Sequence, residues 1–167
     1  MKKVILLLLL ALPMIAYNQV IDDCATTNVS ETESISLYEK IIDYTKTKLG
    51  LGYGRRGLDC SGLVSKAFNS VGITLPHSSK MQSKLGKRVT KNEALPGDLI
   101  FFSSPRSGKK KVGHVGIITS VTESGIQFIH AAVKGGIQYD NLKSTYYMKH
   151  FMMIKRHFFQ TQVAKNQ

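Results

Sequence analysis

The chain has 167 residues, of which 43% are apolar and 20% charged, enough material for one domain with a buried core. Fourteen Gly and four Pro without a G-X-Y period exclude collagen-like and low-complexity chains, and two Cys exclude a framework of disulfides. The formal charge of +12 is read either as attraction to anionic surfaces such as cell wall or membrane or as no more than an aid to solubility. Nucleic acid is not the expected partner, because the basic run Lys109-Lys110-Lys111 lacks the interleaved aromatics of a strand-binding groove.

Lys2 and Lys3 followed by an apolar stretch to Ala16 give the order of a secretory signal, assigned here to residues 1–18, with a flexible lead over 19–34. The apolar stretch is shorter than the roughly 20 residues that span a bilayer. The expected location is therefore periplasmic or extracellular. Lipid attachment at Cys24 is the lesser reading, since Ile21-Asp22-Asp23 makes a poor attachment box.

Ser36 with Glu39 forms a capping-box pattern, and Tyr38, Ile41, Ile42, Thr45 and Leu49 recur at helical spacing up to Gly50. Gly52-Tyr53-Gly54 and Gly57 then mark a loop. Asp59 is placed as N-cap of a second helix whose apolar face is Leu63, Val64, Ala67, Phe68 and Val71, closed by Gly72. From Pro76 to Glu93 the chain reads as irregular or briefly helical. Strands are predicted at 98–102, 113–121, 125–133 and 151–156 from their β-branched and aromatic content. Helices followed by strands give the α+β class, with antiparallel neighbours and a tail over 158–167.

Cys60 falls in the first turn of the second helix, where the macrodipole and the unpaired amides are expected to lower its pKa and to hold an oxyanion. Such a nucleophile needs a base, and the base an orienting partner. With a three-residue hairpin loop at 122–124, Val121 opposes Gly125, and Gly116 then opposes His130. That register puts His114 and His130 on one face as diagonal neighbours. Against this stands the plain reading of a buried Cys as inert packing and of a strand His as an ordinary polar residue. No metal or cofactor is expected, because two isolated Cys and five scattered His lack paired short spacings.

The strings Asp59-Cys60-Ser61-Gly62-Leu63-Val64, Gly72-Ile73-Thr74-Leu75-Pro76, Leu95-Pro96-Gly97-Asp98-Leu99-Ile100-Phe101-Phe102, Gly113-His114-Val115-Gly116-Ile117 and Phe128-Ile129-His130-Ala131 stand in this order. Together they resemble the NlpC-type bacterial cell-wall cysteine peptidases, from about Ile35 to about Arg156. The resemblance implies a papain-like α+β catalytic domain over 35–157, with the nucleophile at a helix start packed on an antiparallel sheet. It also implies hydrolysis of peptidoglycan stem peptides, commonly between D-γ-glutamate and a diamino acid. By motif, Cys60 corresponds to the nucleophile, His114 to the base and His130 to the residue orienting it. Tyr53 corresponds to a residue assisting the oxyanion or lining the groove, and Asp59 and Ser61 to residues that meet a free L-alanine amine. An amidase, an acyl transferase or an antibacterial effector could use the same fold, and a non-catalytic wall-binding module is a further class. The chain departs from the family at His77, which stands where Arg is common, and in the loop Gly52-Tyr53-Gly54-Arg55-Arg56-Gly57, which lacks the usual Gly-Gly after the Tyr. His77 is expected in the groove or on the surface rather than in the chemistry.

Overall fold

The computed structural model describes residues 35–54, 58–104 and 111–157. The leader, Cys24, the tail over 158–167, Arg55 to Gly57, and Lys109 and Lys110 lie outside the described residues.

Helix α1 covers residues 35–46 and turns Ile41, Ile42 and Thr45 inward. A buried hydroxyl needs a partner, and Thr45 Oγ1 donates to the Ile42 carbonyl at 2.6 Å. The helix stops a turn short of Gly50, so Leu49, expected on the apolar face, is largely exposed. Helix α2, Cys60–Asn69, starts where expected: the Asp59 carboxylate accepts from the Gly62 amide at 2.7 Å. Leu63, Val64, Ala67 and Phe68 form its buried face.

The segment after Pro76 holds a short helix, α3, Ser79–Gln82. Its Gln82 is buried and donates through Nε2 to the carbonyls of Ser61 and Pro76, at 3.0 and 2.8 Å. An amide placed this way fixes the first turn of α2 against the chain that follows it.

Among the described residues, six strands form one antiparallel sheet in the order β1-β6-β2-β3-β4-β5. They are β1 Lys87–Val89, β2 Leu99–Ser103, β3 Val112–Thr122, β4 Gly125–Ala132, β5 Gly136–Asn141 and β6 Phe151–Arg156, with helix α4, Thr145–His150, between the last two. β2, β3, β4 and β6 match the sequence expectation closely. β1, β5 and α4 were not expected from the pattern of apolar residues, for they bury few.

The sheet is covered on both faces. Cys60, Leu63 and Phe68 pack with Phe101, Val115, Ile117, Ile129 and Ala131 on the face that carries α1 and α2. Ile100, Phe102, Ile118, Phe128 and Ile154 form a second core on the other face, joined by Tyr147 of α4. Gly97, at φ +92°, makes the turn into β2, and any Cβ there would meet the Tyr38 ring of α1. Asp98 is buried beside it, accepting from Arg156 Nε and Nη2 at 2.8 and 2.9 Å and from the Leu95 amide at 2.8 Å.

The hairpin joining β3 to β4 differs in detail from expectation. Thr122 pairs with Gly125, so its loop has two residues, Glu123 and Ser124, rather than three. A register shift between Ile118 and Ser120 takes up the difference, and beyond it Ile118 faces Phe128 and Ile117 faces Ile129. Continued one step, this register sets Gly116 against His130, as the longer loop would have done. Gly116 suits that place, since a Cβ there would lie 3.2 Å from His130 Cβ and 3.0 Å from the Ile129 carbonyl oxygen.

Candidate active site

Cys60 is nearly buried and carries a free thiol. Burial pushes that thiol above its ordinary pKa, and the Asp59 carboxylate pushes the same way. The amides of Val115, Ser61 and Cys60 itself pull in the opposite direction. The expectation of a lowered pKa is corrected here: helix-start amides do favour the thiolate, but desolvation and a neighbouring negative charge outweigh them. The resting group is the neutral thiol. Its closeness to the Val115 amide places it one residue along β3 from His114.

His114 Nε2 lies 2.7 Å from His130 Nδ1, with the rings edge to face at 4.9 Å. His130 is almost wholly buried, His114 partly. Burial pushes His114 down to about 3, with the nearby His130 adding to the effect and Asp140 opposing it. Burial likewise lowers His130, against the raising influence of Asp140. Both imidazoles are therefore neutral near pH 7, and a neutral imidazole is what a general base requires.

Asp59 serves more than the cap. Its Oδ1 also accepts from the Ser61 hydroxyl at 3.1 Å and from His77 Nε2 at 2.9 Å. Burial works against the charged form, yet the bonds from Gly62, His77 and Ser61 together hold this carboxyl below its ordinary value. His77 thus sits on the surface, as expected, and engages the acidic residue next to the nucleophile. Ser61 is itself buried. Tyr53 is exposed, and its hydroxyl is raised first by burial, with smaller raising influences from Cys60 and Asp59. The loop carrying Tyr53 is anchored to β5: the Gly50 amide donates to the Ile137 carbonyl at 2.9 Å, and the Ile137 amide to the Leu51 carbonyl at 2.8 Å.

Three residues of this array were missed from the sequence. His130 Nε2 is 2.8 Å from Asp140 Oδ2, which also accepts from Gln138 Nε2 at 2.9 Å and from the Tyr147 hydroxyl at 3.0 Å. A signal existed. His130 pairs with Gln138 across β4 and β5, so Asp140, two residues on, shares its face. Reading it would have required recognising Gly136–Asn141 as a strand. Among the described residues, no group of three or more His, Cys, Asp or Glu could hold a metal ion.

Helices leading into an antiparallel sheet, with a thiol at the head of the buried helix, define the papain-like class of α+β folds, as the solved relatives also do. A structure of an NlpC/P60 family protein from Bacillus cereus superposes with a TM-score of 0.64 at 31% identity, over 72% of this chain and 40% of that one. The profile of the NlpC/P60 family matches residues 48–156, and the chain belongs to that family. A probable endopeptidase of Haemophilus influenzae is 38% identical over 106 residues, 63% of this chain and 62% of its own length. The bifunctional muramidase/DL-endopeptidase CwlT of Bacillus subtilis is 40% identical over 100 residues, 60% of this chain and 29% of its own. The chain thus spans less than two thirds of the length of these relatives.

Proposed function

We propose that the protein is an exported cysteine endopeptidase that cuts peptidoglycan stem peptides between D-γ-glutamate and the diamino acid. The observation that carries the reading is the 2.7 Å contact of His114 with His130, on the strand whose Val115 amide meets Cys60. Family membership and relatives named as endopeptidases support the reaction class. The basic, apolar leader supports export, and the positive charge suits an anionic wall.

In this reading the Cys60 Sγ–H proton passes to the His114 imidazole as sulfur attacks the scissile carbonyl carbon. The carbonyl electron pair becomes an oxyanion facing backbone amides at the start of α2, with Tyr53 at the rim of the groove. Collapse expels the amine of the diamino acid, which takes the proton from His114, and leaves a thioester on Cys60. Water then gives a proton to His114 as its oxygen attacks the thioester, and that proton returns to sulfur when the acid product leaves. His130 orients His114 throughout. Asp59 and Ser61 are placed to meet a free L-alanine amine, a role for which the lowered pKa of Asp59 is suitable.

Mass spectrometry of muropeptides incubated with wild-type protein and with Cys60→Ala tests this. Stem peptides split after D-γ-glutamate by the wild type alone are expected. Release of whole stems from muramic acid would establish an amidase instead, and equal cleavage by Cys60→Ala would remove Cys60 from the chemistry.

A further inference from the structure

We infer that Asp140, held by Gln138 and Tyr147, is a positioning residue that sets the protonation pattern of both histidines and so leaves His114 Nδ1 as the atom that takes the thiol proton. The inference rests on the proposed role of His114 as base.

One line of hydrogen bonds fixes the protons. A carboxylate only accepts, so the 2.8 Å contact with Asp140 Oδ2 puts a proton on His130 Nε2, and the Tyr147 hydroxyl, 3.1 Å from that nitrogen and 3.0 Å from Oδ2, then gives its own proton to the carboxylate. A neutral imidazole carries a single N–H, so His130 Nδ1 holds a lone pair. At 2.7 Å that lone pair requires a donor, which is His114 Nε2–H. His114 Nδ1 is then the unprotonated nitrogen. Without Asp140 the same two rings could hold the reverse pattern, with His130 Nδ1–H donating to His114 Nε2. The remaining His114 nitrogen would then bear a proton and could not accept one from Cys60.

Asp140 is built to stay an anion. His130, Gln138 and Tyr147 direct three donors at Oδ2, at 2.8, 2.9 and 3.0 Å. Burial raises its pKa, but these bonds together hold it below the ordinary value. Tyr147 is fixed in turn by the second core, its ring 5.0 Å from Phe102 and 4.9 Å from Phe128, and burial with the Asp140 bond keeps its hydroxyl protonated as a donor. This gives the otherwise unburied helix α4 a purpose: it carries one donor to the far end of the line.

The test compares wild type with Asp140→Asn and Asp140→Ala, using Tyr147→Phe as an intermediate case. The amide of Asn fits the same space but can offer its NH2 to His130 Nε2, which permits the reverse pattern. Nitrogen-15 spectra of the histidines at neutral pH should show wild-type His114 and His130 each protonated at Nε2 alone, and a mixed or inverted pattern in Asp140→Asn. On stem peptides kcat should fall at least about tenfold, part of the 10²–10⁴ that general acid–base catalysis supplies, with KM nearly unchanged. Alkylation of Cys60 by iodoacetamide should slow in parallel. Tyr147→Phe should lie between. An unchanged histidine pattern in Asp140→Asn, or a loss of rate that only follows a loss of folded protein, overturns the inference, and if Asp140→Ala does not fold then Asp140→Asn carries the test. The spectra and the alkylation need no substrate. Wild-type protein with this pattern that leaves muropeptides intact would overturn the peptidoglycan reading and support the role of Asp140.

Discussion

His114 and His130 pay for their place in the site with a dependence of stability on pH. Burial holds both below the ordinary histidine value of 6.5, His114 at about 3. The unfolded chain binds protons at both rings as pH falls below about 6.5 while the folded protein does not, so the stability present above that value drains away as pH drops toward the folded pKa. The melting temperature should fall between pH 7 and pH 4.5 in the wild type and fall less in His114→Gln; equal slopes would contradict the neutral pair. Asp59 and Asp140, held below 3.8, add their own loss only at lower pH. Asp59 gives a second prediction at this scale. Gly62, Ser61 and His77 all bond to Oδ1, and the proposed contact with a substrate amine would fall to the second oxygen. Asp59→Asn keeps a good cap, so thermal stability should change by less than about 1 kcal/mol. The loss of a charge-assisted bond worth about 1.5–3 kcal/mol should raise KM roughly tenfold or more for peptides with a free L-alanine amine and spare N-acetylated ones. Equal small effects on both peptides would leave only the cap.

Among the elements, the legible ones are those whose apolar residues keep a period. The face of α2 and the strands β2, β3 and β4 were readable because each buries a continuous or alternating set of side chains. β1 has three residues, two of them charged and exposed, and marks the sheet edge where cations discourage further pairing. β5 reads Gly-Ile-Gln-Tyr-Asp-Asn and buries only its first two positions, so its polar side chains hid both the strand and Asp140. The histidine pair was legible for a subtler reason: the hairpin loop is shorter than expected, and the bulge in β3 restores the register by the time the strands reach Gly116. Gly116→Ala should be costly there. Its Cβ would press on the Phe128 ring at 2.9 Å and on the Ile129 carbonyl oxygen at 3.0 Å, an overpacking of about 1–3 kcal/mol that also displaces His130. Urea titration and turnover should both register it, and a variant with full activity would show that the strands can part without disturbing the pair.

Across the whole described domain, Asp98 and Arg156 join the start of β2 to the end of β6, and the two partners are not equivalent. Asp98 is 1% exposed and the Arg156 side chain 22%. Arg156→Met strands a buried carboxylate and should cost about 3–5 kcal/mol in denaturant unfolding, whereas Asp98→Asn keeps an acceptor for the Leu95 amide and leaves an arginine that water can reach, and should cost less. The opposite order would mean that the arginine, not the carboxylate, is the desolvated partner. A different consequence follows from the two faces of the sheet. Cys60 belongs to the layer of α1 and α2, while the ring contacts of His114 and His130 with Phe102, Phe128 and Tyr147 tie them to the layer of α4. The backbone of β3, through Val115 and His114, brings the two together. A half-made molecule, or one with either layer unravelled, holds a thiol without its base or a base without its thiol. For a protein proposed to cut peptidoglycan, assembly is thus an interlock: the blade does not exist until both halves of the handle have closed.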